Sequence, residues 1–477
     1  MNDYIITDKS RRFWFILSLS LVHLLLGLDI NIVSVSLPTI AEHFGVNAGV
    51  VSRVVWIYFL ILTCFLLGFG KLGDLKGFRK IYLTGISVFT LGSLLSALAF
   101  DFNSLVVFRV IQALGGAVLF ALTPALIVAY LPIEIRGKVF GINYAFTALG
   151  GIIGRGLSGY LIESIGWNSI FMINIPIGIL AVLIGLKFIP KAQLFNQDAK
   201  YDLKGSIYIF IALLTFLFVI NAGQEYGWGS AIILSCIIIS IIFFILFILY
   251  EKKINKTDNS ISPILKFSTL KNRQISFPII TFALIYIITN GMIYLFPFYL
   301  QWIRNLPKKE IGLLMAIPSL LQMLSGYLSG TLSDKKSIKI ICSTGILLTI
   351  VSYITFSFLD ANSDYYFVVF SIIMYGIAIG IFIPANTNRI MTFAPIDQKG
   401  SISSLMTTVI RLGSELGVTS FAAIFTAFVP QKNPVQAGVP IVNILSGFKY
   451  TFIFGALICI LALVINLFVN DKLEKSL

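Results

Sequence analysis

Five charged residues stand inside stretches that are otherwise apolar: Asp29, Arg109, Arg155, Arg411 and Glu415. In a bilayer such a side chain costs on the order of 2.5 to 3.5 kcal/mol at a helix centre, so each needs a partner or water and marks a place where charge is used. Asp29 has two readings. It is a proton-coupling carboxylate that titrates as its surroundings open and close, or it is the permanent ion-pair partner of Arg109. Arg155 offers a planar set of donors to an anion, or it is a second local partner of Asp29. Arg411 and Glu415, four residues apart, share one face of a helix and can pair with each other. At 1.5 Å per residue, Asp29, Arg109 and Arg155 fall roughly 8 to 13 Å below the outer boundary of their helices. The expectation is one polar cavity with Asp29 held between the two arginines.

The elements that position these charges are dictated by composition. With 57% hydrophobic and 12% charged residues and a mean hydropathy of +0.94, 477 residues cannot bury their apolar surface in a soluble core. A span needs roughly 20 apolar residues. Such stretches recur at 13–37, 50–70, 80–100, 104–131, 138–162, 168–189, 203–222, 230–250, 274–302, 310–332, 338–359, 365–388, 400–428 and 448–470. The class is an all-α polytopic membrane protein with fourteen transmembrane helices. The first stretch runs through Asp29 to Pro38 without a small-residue cleavage site and is expected to be a retained span. An even number of spans puts both termini on one side, and 26 of the 35 Lys and Arg residues fall on that side against six opposite, Arg53, Arg304, Lys308, Lys309, Lys432 and Lys449. The positive-inside rule makes it the cytoplasmic side. The net charge of +14 is thereby a product of topology, and no nucleic-acid partner is implied.

The polar, basic stretch 251–273 reads as a linker. A weak repeat agrees, since GKLGDLKGFRK follows the second span and GTLSDKKSIK, with Asp334, follows the tenth. The expected domains are an N-terminal six-helix bundle (1–190), an inserted helix pair (191–250), the cytoplasmic linker (251–273) and a C-terminal six-helix bundle (274–477). In the first loop Gly70, Gly73 and Gly77 permit a tight turn, and Asp74 can cap a helix N-terminus or pair with Arg79, beside Lys80. Gly150 with Gly154 and Gly413 with Gly417 are spaced for close helix approach. Gln112, Asn143, Tyr144 and Tyr294 are candidate cavity residues, while Cys64, Cys236, Cys342 and Cys459 lie in apolar stretches as small core residues. His23 and His43 stand apart, and no metal, nucleophile or phosphate-loop pattern points to an enzyme or a cofactor.

Several of these segments resemble the fourteen-helix drug/proton antiporter branch of the major facilitator superfamily, whose members include multidrug, quaternary ammonium and tetracycline exporters. LDINIVSVSLPTI at 28–40 is similar to the first-helix signature containing the acid, here Asp29. GKLGDLKGFRK is similar to the cytoplasmic loop motif, and FRVIQALGGA to the fourth-helix motif built on Arg109, Gln112 and Gly115, with Ala113 where glycine is usual. IGWNSIFMINIPIG, GQEYGWG and RLGSELGVTSF extend the likeness over nearly the whole chain. There are two departures. Arg155 replaces the proline that ends the fifth-helix antiporter motif, and Asn168 follows Trp167 where an arginine is usual.

The resemblance implies the major facilitator fold, two six-helix bundles plus an inserted pair. It also implies alternating access driven by a proton gradient without a further cofactor, and export of small amphipathic compounds across the plasma membrane. A bilayer, a small-molecule substrate and protons are the expected partners of a monomer. The surplus positive charge in the spans motivates the alternative of an organic anion or anionic lipid carried on Arg109 and Arg155. A non-transporting receptor or a membrane enzyme is the minor alternative.

Overall fold

An apolar stretch in lipid must satisfy its own backbone, and a helix does so within the segment. The computed structural model describes residues 5–191, 199–257, 261–429 and 438–469, and Lys432 lies outside them, as do Lys472 and Lys475 of the inside set. Among the described residues fourteen helices are long and apolar enough to cross a membrane. The main helices of these spans are α1 (Lys9–Phe44), α2 (Arg53–Lys76), α3 (Phe78–Ala97), α4 (Phe102–Tyr130), α5 (Arg136–Ile165), α6 (Asn174–Phe188, preceded by a short helix at Ser169–Met172 within the same span) and α7 (Leu203–Tyr226). The remainder are α8 (Ala231–Thr257), α9 (Arg273–Trp302), α10 (Lys308–Ser333), α11 (Ile338–Ser357), α12 (Tyr365–Phe393), α13 (Lys399–Phe428) and α14 (Ile441–Leu467). Two two-residue strands, β1 (Lys200–Tyr201) and β2 (Ile261–Ser262), pair in parallel.

Helices overrun the apolar windows where the flanking residues cap them. At α1, Asp8 accepts from the Arg11 amide at 2.6 Å, so the helix starts four residues before the apolar run, and Pro38 is accommodated inside it. Asp101 opens α4 through a capping box with Ser104, and that backbone bond draws its carboxyl below the usual range. The stretch read as a linker is structured in part. Helix α8 continues to Thr257, β2 follows, and a short helix spans Phe267–Leu270.

The chain divides into two compact units, Met1–Lys271 with Met391–Thr408 and Asn272–Ile390 with Val409–Leu477. The first holds α1 to α8, the linker stretch, and the α12–α13 connection with the first turns of α13. Within it α1 packs on α5 and α6, α4 on α2 and α3, and α7 on α8 and α2. In the second unit α14 packs on α9 and α11.

Both units use the same close crossing. A Cβ at Gly154 of α5 would lie 2.8 Å from the Leu28 carbonyl of α1, and one at Gly413 of α13 would lie 2.7 Å from the Ala283 carbonyl of α9. Glycine is required there because backbone meets backbone. Gly154→Val is accordingly expected to abolish recovery of monodisperse protein. Gly156→Val, where the added carbon meets nothing within 4 Å, leaves it unchanged. Equal recovery of the two variants by size-exclusion chromatography would refute that packing.

Candidate functional site

A fully buried polar network in the first unit is built on Asp29, which α1 presents away from its α5 face. Arg109 Nη1 donates to Asp29 Oδ2 at 3.0 Å. On the other oxygen, Gln112 Nε2 and Asn174 Nδ2 each donate to Asp29 Oδ1 at 2.8 Å. Arg109 also donates to Gln112 Oε1 at 2.5 Å and through Nε to the Val54 carbonyl at 3.2 Å. Its guanidinium stacks 4.2 Å from the centre of the Tyr58 ring. Ser93 closes the network by accepting from Gln112 at 2.8 Å. Asp29, Arg109, Gln112, Asn174 and Ser93 are all at most 1% exposed. Helices α1, α3, α4 and α6 thus share one saturated ion pair.

Arg155 is not part of it. Its Nε donates to Asn31 Oδ1 at 3.0 Å, and the side chain is exposed. The expected placement of Asp29 between two arginines is corrected by helix geometry. Asp29 and Asn31 are two residues apart, about 200° around the helix at 3.6 residues per turn, so a partner of one faces away from the other. Two of the proposed cavity residues are likewise sealed, Gln112 in the Asp29 network and Asn143 as the acceptor of Ser20 Oγ at 2.9 Å. Tyr144 is half-buried on α5. Tyr294, in the second unit, is 38% exposed with its ring 5.6 Å from Phe298.

The loop motif assembles a second site. Gly77, at φ 87°, turns the chain between α2 and α3 in a conformation that disfavours other residues. Gly70 lies against Gly400 and Ser404, and Gly73 against Leu122. Asp74, 5% exposed, accepts from the Gly400 and Ser401 amides at 2.7 and 2.9 Å and from Ser401 Oγ at 2.8 Å. Of its two expected roles it therefore takes helix capping, and the helix it caps is α13, whose first-turn amides have no partner of their own. Lys399 completes the dock by donating to the Val128 carbonyl in the last turn of α4 at 3.1 Å. Arg79 goes elsewhere, to the Leu186 carbonyl at the end of α6, and Lys80 is exposed.

A sequence model of the Major Facilitator Superfamily matches residues 19–418. The chain belongs to the major facilitator superfamily. It is a multi-pass membrane transporter, not an enzyme. Among relatives, the riboflavin transporter RibZ of Clostridioides difficile is 29% identical over 465 residues, covering 97% of this chain and 99% of the relative. The multidrug transporter protein MdtP of Bacillus subtilis is 26% identical over 426 residues, covering 88% and 76%. The human organic anion transporter MFSD10 (TETRAN) shares the fold at a TM-score of 0.66 and 12% identity, over 96% of this chain and all of that one. The proton:xylose symporter XylE shares it at 0.66 and 15%, over 97% and 96%.

The second unit of this major facilitator protein carries the remaining charges. Arg411 and Glu415 lie one turn apart on α13, both half-buried. Beside them Ser414 accepts from Asn290 of α9 at 3.0 Å. Asp334, just past α10, accepts from Asn388 of α12 at 3.5 Å, and the Arg389 guanidinium donates to Asn466 of α14 at 3.1 Å. Asn174, Ser93 and Ser401 are site residues that carry no charge and hence no conspicuous cost in an apolar stretch. Only an unpaired Asp29 or Asp74 in the sequence could have pointed to them.

Proposed function

We propose that this protein is a secondary transporter that moves a small amphipathic organic compound by alternating access coupled to protons, as an exporter in the plasma membrane with both termini cytoplasmic. The observation that carries the reading is the Asp74 cap. One carboxylate holds the start of a helix 326 residues further on, at the join where the first unit takes up the first turns of α13. Three hydrogen bonds on a single side chain break and re-form together, which suits a two-state gate.

Amphipathic compounds such as riboflavin or lipophilic drugs lead the substrate candidates, supported by the end-to-end likeness to a riboflavin transporter and the likeness to a multidrug transporter. For Asp29 the geometry favours the permanent ion pair, since both oxygens are saturated by buried donors. The coupling carboxylate then falls to Glu415, half-buried on α13 and one turn from Arg411. The organic-anion alternative narrows to Arg155, because Arg109 is committed to Asp29, Gln112 and Val54 while Arg155 is exposed.

The test is uptake by proteoliposomes of riboflavin, a lipophilic cation and an organic anion under an imposed pH gradient. Riboflavin or the cation is expected to accumulate with the gradient. Glu415→Gln removes that accumulation while sparing substrate exchange at equal pH. Undiminished accumulation in Glu415→Gln would sink this assignment of coupling, and accumulation of the anion alone, lost in Arg155→Lys, would replace the substrate class.

A further inference from the structure

The inserted pair α7–α8 carries titratable groups that the transport reading leaves unused. Asp202 caps α7, its Oδ1 accepting from the Gly205 amide at 2.8 Å. Glu251, near the end of α8, accepts through Oε1 from the Ile264 amide at 2.9 Å and also from the Leu265 backbone. Both side chains are buried, at 1% and 0% exposure. The two carboxyls lie close together, each acting on the other's ionisation. Gly205 is where they converge, since a Cβ there would press on Asp202 Oδ2 and lie 3.1 Å from Glu251 Oε1.

Two ionised carboxylates buried side by side can only repel, because an ionised carboxylate only accepts. Asp202 Oδ2 has no neutral or cationic donor within hydrogen-bond reach. One proton between the two groups supplies the missing donor and removes one of two like charges from a buried site. Burial also pushes the Asp202 carboxyl above the usual carboxylate range.

The surroundings are defined on every side. From α2, buried Lys71 faces the pair, and its charge also acts on Asp74, Lys266 and Asp397. From β1, Tyr201 lies beside Asp202 with its hydroxyl accepting from Ser206 Oγ at 2.7 Å. Lys204 of α7 turns outward, its Nζ over the Tyr208 and Tyr250 rings. The backbone that Glu251 grips continues into Lys266, which pairs with Asp397 at 2.7 Å, and Thr269, which donates to Gln398 Oε1 at 2.7 Å. Asp397 and Gln398 immediately precede Lys399 and Gly400, where Asp74 caps α13.

We infer that Asp202 and Glu251 form a proton-binding site, a carboxyl donating to a carboxylate, which fastens the strap at residues 261–270 and through it the loop that leads into α13. Release of the proton to solvent leaves two buried carboxylates against Lys71, and their repulsion parts α8 from the start of α7. The strap then loses its fixed anchor. In this arrangement the inserted pair acts on the gate that Asp74 closes.

The site is read on the purified full-length protein in detergent, without substrate or gradient, so its failure leaves the transport reading untouched and the converse holds. Infrared difference spectra across a pH titration are expected to show a protonated-carboxyl carbonyl band that disappears as pH rises, and to lack that component in both Glu251→Gln and Asp202→Asn. In each variant the new amide donates to the remaining carboxylate, and in Glu251→Gln the side-chain oxygen still accepts from Ile264, so the fold is kept. Hydrogen exchange, corrected for its intrinsic pH dependence, should show residues 261–270 losing protection in the wild type as the band is lost and keeping it at every pH in Glu251→Gln. A carboxyl band equal in all three proteins, or strap protection that does not follow pH in the wild type, overturns the proposal.

Discussion

Arg109→Met is expected to abolish folding of the transporter, and adding Asp29→Asn is expected to restore it. The single change leaves a carboxylate at 0% exposure with no cation, and breaking a buried pair from one side costs about 3 to 5 kcal/mol. That is comparable with the whole net stability of many folded domains. The neutral double variant carries no such charge. Gln112 and Asn174 still donate to the side-chain oxygen at position 29, and Tyr58 packs on the methionine where it stacked on the guanidinium. Detergent thermostability reads the first result and its reversal. If Asp29 is a structural partner, the refolded double variant also retains gradient-driven accumulation. A stable single variant, or a double variant that folds no better than the single one, would remove the ion pair from the account of stability.

The other large effect concerns Asp74→Ala, expected to raise the labelling rate of a cysteine placed at Ser403 roughly 30-fold, in a background where the four native cysteines are serine. Ser403 is fully buried in the first turns of α13, so a thiol there reacts only when that end of α13 lifts. Three bonds to one charged acceptor are lost. Each charged hydrogen bond contributes about 1.5 to 3 kcal/mol, but water replaces most of this once the site opens. A net 2 kcal/mol is therefore a fair magnitude, and it corresponds to about a 30-fold shift in population. Asp74→Asn keeps an acceptor without the charge and should fall between. Equal labelling of wild type and Asp74→Ala would show that the cap does not govern opening.

The number of helices was legible because each apolar stretch has to satisfy its own backbone, and the Asp29–Arg109 pair because a charge in lipid demands another. Arg155 was misplaced for a definite reason. Depth along a helix can be counted from a sequence, but which of two residues on neighbouring helices share an azimuth depends on how those helices are rotated, and Asn31 rather than Asp29 faces α5. Asp74 was legible as a cap and not as the cap of α13, since its partner lies 326 residues away. Asp202 and Glu251 passed unnoticed because they stand at the ends of apolar stretches, where an acid is ordinarily solvated. Lys71 of α2 and the backbone at Ile264 and Leu265 close over them.

The β1–β2 strand pair brings together the two ends of the α7–α8 excursion. Lys200 lies opposite Ile261 and Tyr201 opposite Ser262, so the backbone leaves for α7 and returns from α8 at neighbouring points, about 5 Å apart as paired strands are. An excursion that begins and ends at one place can be spliced in or out of a gene while the order and orientation of every other helix stay as they were. The helix pair is in this sense a cassette, whose two ends meet at one strand pair while the other twelve helices keep their order on either side of it.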